Sequence, residues 1–156
     1  MMRSGLGAAV LAGALAVSPA LAQQNWAALN QWQVACTPAG DCQITNEGRS
    51  AGGITSKILI YRVGDAAILE YTIPLGIDIR KGVKLEIDGR QSYPTDILTC
   101  RLSGCVGFQV LSNRLLNALA AGGELAVSYV SADDNRARAE RFSLVGFTRS
   151  YNTFNR

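Results

Sequence analysis

The chain contains no histidine among its 156 residues. That removes the commonest general base and the commonest metal ligand at once. No C-x-x-C pair occurs, so a thioredoxin-like dithiol is excluded, and no serine has a lysine three residues later, which excludes the S-x-x-K arrangement. Apolar runs are short: the longest stretch, Leu6 to Val17, cannot cross a hydrocarbon core of roughly 30 Å. Large charge imbalance is also missing, with 15 Lys+Arg against 12 Asp+Glu. Nucleic-acid binders typically need a strongly basic domain and a concentrated basic patch.

The N-terminal residues read as a secretory signal. Met1-Met2-Arg3 is a short cationic start, Leu6 to Val17 is apolar, and Ser18-Pro19 breaks any helix. Ala20-Leu21-Ala22 then fits small-x-small cleavage before Gln23. The predicted organisation is a signal peptide over residues 1–22 and one domain over 23–156. No cysteine lies near the cleavage point, which argues against a lipid anchor, and after cleavage no integral membrane segment is expected. Loss of Arg3 lowers the basic count from 15 to 14 against 12 acids, a balance of +2. The expected location is the bacterial periplasm or the exterior, and an uncleaved anchor is the rival reading.

Four cysteines suit that compartment, because an even count in an oxidising space reads as disulfides. Four cysteines allow three connectivities. The local pairs Cys36–Cys42 and Cys100–Cys105 are favoured, since both intervening segments carry glycine and turn formers that fold back as hairpins. Such short loops are worth roughly 2 kcal/mol each, against about 4 kcal/mol for a long-range link such as Cys36–Cys105. Zinc is the runner-up, but the spacings match the usual close ligand pairs poorly.

Strand signals dominate the remaining chain. Trp32 to Cys36 and Cys42 to Thr45 flank the first cysteine loop, and Asn46 to Gly53 reads as a polar, glycine-rich link. Lys57 to Val63 is apolar on both faces, as a doubly covered central strand would be. In Ala67 to Ile73, Leu69, Tyr71 and Ile73 share a face. Val83 to Asp88 alternates cleanly, with Val83, Leu85 and Ile87 predicted inward and the row Lys84, Glu86, Asp88 outward. Asp88-Gly89 favours a type I′ turn. Ser112 is a candidate N-cap for a short helix with Leu115, Leu116 and Leu119 inward, stopped at Gly122-Gly123. Glu124 to Val130 and Ala137 to Val145 make a strand pair. Phe147, Tyr151 and Phe154 are spaced for a last helix. The predicted fold is mainly β: a single antiparallel sandwich or barrel-like domain of about eight strands with one or two short helices.

The catalytic-looking strings fail on context. Gly48-Arg49-Ser50-Ala51-Gly52 matches G-x-S-x-G, but that motif needs a strand before it, a helix after it and a triad base. Here it sits in a Gly/Ser-rich stretch without histidine. Asp133-Asp134 suits a hairpin tip, and Glu70 is a lone carboxylate among apolar residues. The expectation is a non-enzyme without catalytic, metal or cofactor residues.

The order of motifs resembles the invasion-associated locus B family of exported bacterial proteins. It runs Trp32-x-Val34-x-Cys36, Cys42-x-Ile44, Ile73-Pro74-Leu75-Gly76 and Gly82-Val83-x-Leu85-x-Ile87-Asp88. It continues through Cys100-x-x-x-Gly104-Cys105, the helix with Leu116 and Leu119, Gly122, and Leu144-x-Gly146-Phe147-Thr148. The resemblance implies an exported scaffold linked to host-cell invasion, with no catalytic residues to carry over. The function expected is a disulfide-stapled, non-catalytic envelope or periplasmic module that binds an unidentified envelope or host macromolecule. The alternative is a periplasmic carrier of a small apolar ligand or lipid, enclosed by the sheet.

Overall fold

Two-residue alternation of apolar and polar side chains builds two antiparallel sheets that face one another. The computed structural model describes residues 31–49 and 55–156; the signal segment 1–22 and Ser50 of the G-x-S-x-G string lie outside the described residues. The large sheet has six strands in the order β1-β2-β3-β4-β8-β7. They are β1 (Gln33–Cys36), β2 (Cys42–Arg49), β3 (Thr55–Val63), β4 (Ala66–Ile73), β7 (Ile97–Arg101) and β8 (Gly104–Val110). The small sheet has four, in the order β10-β9-β5-β6: β5 (Val83–Ile87), β6 (Gln91–Thr95), β9 (Glu124–Val130) and β10 (Ala137–Ser143). Helix α1 (Asn113–Ala121) joins β8 to β9, and α2 (Phe147–Phe154) follows β10. The result is a β-sandwich.

Register explains the core. On the large sheet Ile44 faces Ile60, Ile60 faces Leu69, and Ile58 faces Tyr71, so these side chains form one inward surface. On the small sheet Leu85 sits opposite Val127 and Ile87 opposite Leu125. All nine are essentially inaccessible to solvent. Asp88 and Gly89 both have positive φ (52° and 64°), as the tight turn into β6 requires. At the corner where β6 passes directly into β7 of the other sheet, the Tyr71 hydroxyl donates to the Asp96 carbonyl at 3.0 Å. A Cβ at Gly107 would collide with both groups, so this strand position accepts only glycine.

The helices close one end of the sandwich. Ser112 Oγ accepts from the Leu115 amide at 3.2 Å, and Leu115, Ala118 and Leu119 are buried. Gly122 ends α1 for reasons of packing, since its φ is −84° while a Cβ there would lie 2.5 Å from Ile87 Cγ2. In α2, Phe147 packs edge-on against Trp32, with ring centroids 5.1 Å apart, and Phe154 is buried one turn beyond Tyr151. Trp32 Nε1 donates to the Ser143 carbonyl at 2.8 Å, joining the start of β1 to the end of β10.

Three expectations need correction. Asn46 to Arg49 is strand rather than link: β2 continues to Arg49, with Gly48 in register with Ser56. Its polar residues hide the strand because Asn46 is buried yet donates to the Ser143 carbonyl at 3.2 Å. Lys57 to Val63 is fully covered on one face only; Leu59 and Tyr61 point away from the core and stay half-exposed. The described residues hold ten strands rather than about eight, because β6, β7 and β8 are short and interrupted by Pro94, Gly104 and Gly107.

Candidate interaction surfaces

The four cysteines form cross-strand links within hairpins. Cys36 is bonded to Cys42 and Cys100 to Cys105, with Cα atoms 4.0 and 3.9 Å apart. Each pair sits directly opposite in its ladder. Cys42 begins β2, whereas Cys105 faces Ile73 at the finish of β4, so the two bonds fasten opposite ends and opposite edges of the large sheet. They stiffen the scaffold and leave no free thiol among the described residues.

A buried polar cluster links the sheets. Glu140, on β10, accepts from Ser56 Oγ of β3 and from the Tyr129 hydroxyl of β9, each at 3.0 Å. Burial, and then the adjacent Glu140 carboxylate, push the Tyr129 hydroxyl far above its usual pKa, so it stays a donor. Hydroxyls from both sheets converge on one carboxylate, and this is sheet-to-sheet fastening. The sequence carried a signal for it: Glu140 and Phe142 stand two apart on the inward side of β10, so Glu140 occupies a core position.

The outward face of the small sheet is a shallow trough. Cross-strand rows run Pro94–Lys84–Ser128–Ala139 and Ser92–Glu86–Ala126–Arg141. Alanine and serine make a low floor, and Lys84, Glu86 and Arg141 stand above it, around an open depression of about 680 Å³. Lys84 and Glu86 form an ion pair at 3.0 Å. Glu86 also accepts from Ser128 Oγ; that bond, followed by Lys84, holds its carboxyl below the usual range. Glu86 is therefore half-buried, although alternation alone predicted exposure. Asp88, the third member of the row, turns back to accept from the Gly123 and Glu124 amides at 3.0 and 2.9 Å. A second open depression, of about 610 Å³, lies between the Cys36–Cys42 hairpin and the end of α2, where Arg62 stands over the Phe154 ring.

The outward face of the large sheet is different in kind. Val110, Ile68 and Tyr61 are successive cross-strand neighbours, as are Phe108, Glu70 and Leu59. Val106 continues the apolar surface beside Thr72. Phe108 and Val110 are 45% and 49% exposed, and Val63 adds 59% at the strand end. Glu70 interrupts this surface and is satisfied by the Tyr61 hydroxyl at 3.3 Å. Among the described residues nothing packs over the face. Asp133 and Asp134, by contrast, occupy the β9–β10 hairpin tip, where Asp134 pairs with Arg138 at 2.8 Å.

Comparison with known proteins fits these features to a family. The profile described as "Invasion associated locus B (IalB) protein" matches residues 32–155. The chain belongs to the invasion associated locus B family. The matched span begins at the buried Trp32 and takes in both disulfides and both helices. A solved structure, the invasion associated protein b from Bartonella henselae, has the same fold, with a TM-score of 0.71. The two are 22% identical over 80% of this chain and 91% of that one. A comparison with curated proteins finds no match. Family membership and disulfides are consistent with export. No helix among the described residues is long and apolar enough to cross a membrane.

Proposed function

We propose that the protein is an exported, non-catalytic interaction module of the bacterial envelope, acting through the outward face of its large sheet on another macromolecule. The supporting observation is the exposed apolar surface of Phe108, Val110 and Val63, bordered by the half-buried Leu59 and resting on the buried Ile68. No other described residue covers it, on a sheet whose other face is packed. Soluble proteins seldom leave such a surface exposed unless something binds there. The family's name and that of the Bartonella neighbour connect their members with invasion, and we extend that association to this chain. Signal cleavage after Ala22 and periplasmic or extracellular residence belong to the same proposal. The carrier reading has less support: Tyr71, Phe142, Phe147, Leu69 and Leu85 fill the space between the sheets.

Affinity capture of the exported protein from envelope extract tests the assignment. A partner retained by the native protein is expected to be lost from Phe108→Ser and kept by a charge reversal at Lys84 on the opposite face. Loss from the Lys84 variant alone would move the interface to the trough.

A further inference from the structure

The end of the sandwich opposite the helices carries three protruding apolar side chains. Leu102 is 97% exposed in the β7–β8 turn, Ile79 is 63% exposed on a single 3-10 turn (Ile79–Lys81), and Leu75 is 43% exposed just beyond β4. Topology places them together. Ile73 faces Cys105, so the chain running out to Leu75 and the turn holding Leu102 leave adjacent strands in the same direction. The segment with Ile79 is joined to the β9–β10 hairpin at that end through the Ile77–Ser131 bridge and the Asp78 amide, which donates to the Val130 carbonyl at 2.8 Å.

The tips are rigidly held. The Cys100–Cys105 bond closes the base of the Leu102 turn. The Asp78 carboxylate accepts from the Arg80 amide at 3.2 Å and pairs with its guanidinium at 2.9 Å, fixing the Ile79 turn. A surface turn ordinarily selects small polar residues, so three large aliphatics held outward point to an apolar occupant.

Cations lie beside the tips. Arg101 precedes Leu102, Lys81 follows Ile79 by two positions, and Arg136 closes the neighbouring hairpin. Among the described residues these three form no ion pair, while Asp78 and Asp134 are matched by Arg80 and Arg138, leaving Asp133 and the exposed Asp96, beside Lys81, as the opposing charges. Convex apolar tips among cations suit a deformable anionic layer, because they enter it without a shaped pocket to receive them.

We propose that this end docks on an anionic lipid surface, placing Leu102, Ile79 and Leu75 between headgroups while Lys81, Arg101 and Arg136 meet the phosphates. The site is separate from the apolar sheet face and does not depend on it.

Vesicle co-sedimentation of the exported protein tests this, using equimolar phosphatidylcholine and phosphatidylglycerol against phosphatidylcholine alone. Partition is expected on the anionic vesicles only and should weaken with salt. The double variant L102S/I79S should lower it by about tenfold or more, since each buried aliphatic side chain contributes on the scale of one such factor. K81E/R101E should lower it similarly. Thermal melts matching the native protein verify that both variants fold, and Phe108→Ser should partition normally. Undiminished partition of L102S/I79S, or absence of binding to anionic vesicles, would overturn the proposal. So would a finding by sedimentation velocity that L102S/I79S abolishes self-association while leaving lipid partition intact.

Discussion

Glu140 shows how a single carboxylate can fasten two sheets. Its two bonds satisfy hydroxyls from β3 and β9, so truncation leaves Ser56 and Tyr129 buried without an acceptor. Glu140→Ala is expected to destabilise the fold by about 2–5 kcal/mol, whereas Glu140→Gln keeps an acceptor and costs less; urea midpoints would rank them. Asp88 makes a different statement. The Gly123 and Glu124 amides, then Arg90, hold its carboxyl below the ordinary value. A carboxyl with a depressed folded-state pKa stabilises fully above its unfolded value, near 3.9, and loses that contribution as pH falls through the folded value. Stability should therefore drop in the acid range below about pH 4, and Asp88→Asn should flatten that limb in urea melts taken across it. Asparagine also tolerates the positive φ at this position, so the variant isolates the charge.

At the scale of elements, β5 gives the cleanest contrast. Leu85 is completely buried between β9 and β6, and Leu85→Ala should cost on the order of 2–5 kcal/mol. Glu86→Ala, losing an exposed-side ion pair and one hydroxyl contact, should cost about 1 kcal/mol or less. Denaturant melts of the two variants check the asymmetry; equal small losses would contradict the packing described for β5. The hairpin staples are expected to act independently, each contributing roughly 2 kcal/mol when its bond forms, and non-reducing peptide maps should link Cys36 only to Cys42 and Cys100 only to Cys105. β5, β9 and both helices were legible in the sequence because their apolar positions follow periods of two or of three to four without interruption. β2 was obscured beyond Thr45, because a buried asparagine and a glycine occupy inward positions that pattern reading assigns to large apolar residues. β6 to β8 were obscured by Pro94, Gly104 and Gly107, whose places follow from an edge strand, a hairpin and the Tyr71 hydroxyl.

Across the whole molecule, the interior explains the fold and the outside carries the proposed function. The local disulfides could be favoured from spacing alone, since each pair brackets turn-forming residues. The candidate surfaces could not. That Phe108 and Val110 stand exposed beside Leu59 over the buried Ile68 depends on β8 lying beside β4, a pairing of strands separated by more than thirty residues. Sequence periodicity reported apolar residues on both faces of β3 and β4, and among the described residues no second layer packs over the outward one. Site-specific photo-crosslinking in the living cell tests the interaction account most directly, with a benzophenone side chain at position 108 and, separately, at position 84. The account predicts a discrete macromolecular adduct from position 108 and none from position 84. An adduct from 84 alone, or monomer only from both positions in protein with a native melt, would contradict it.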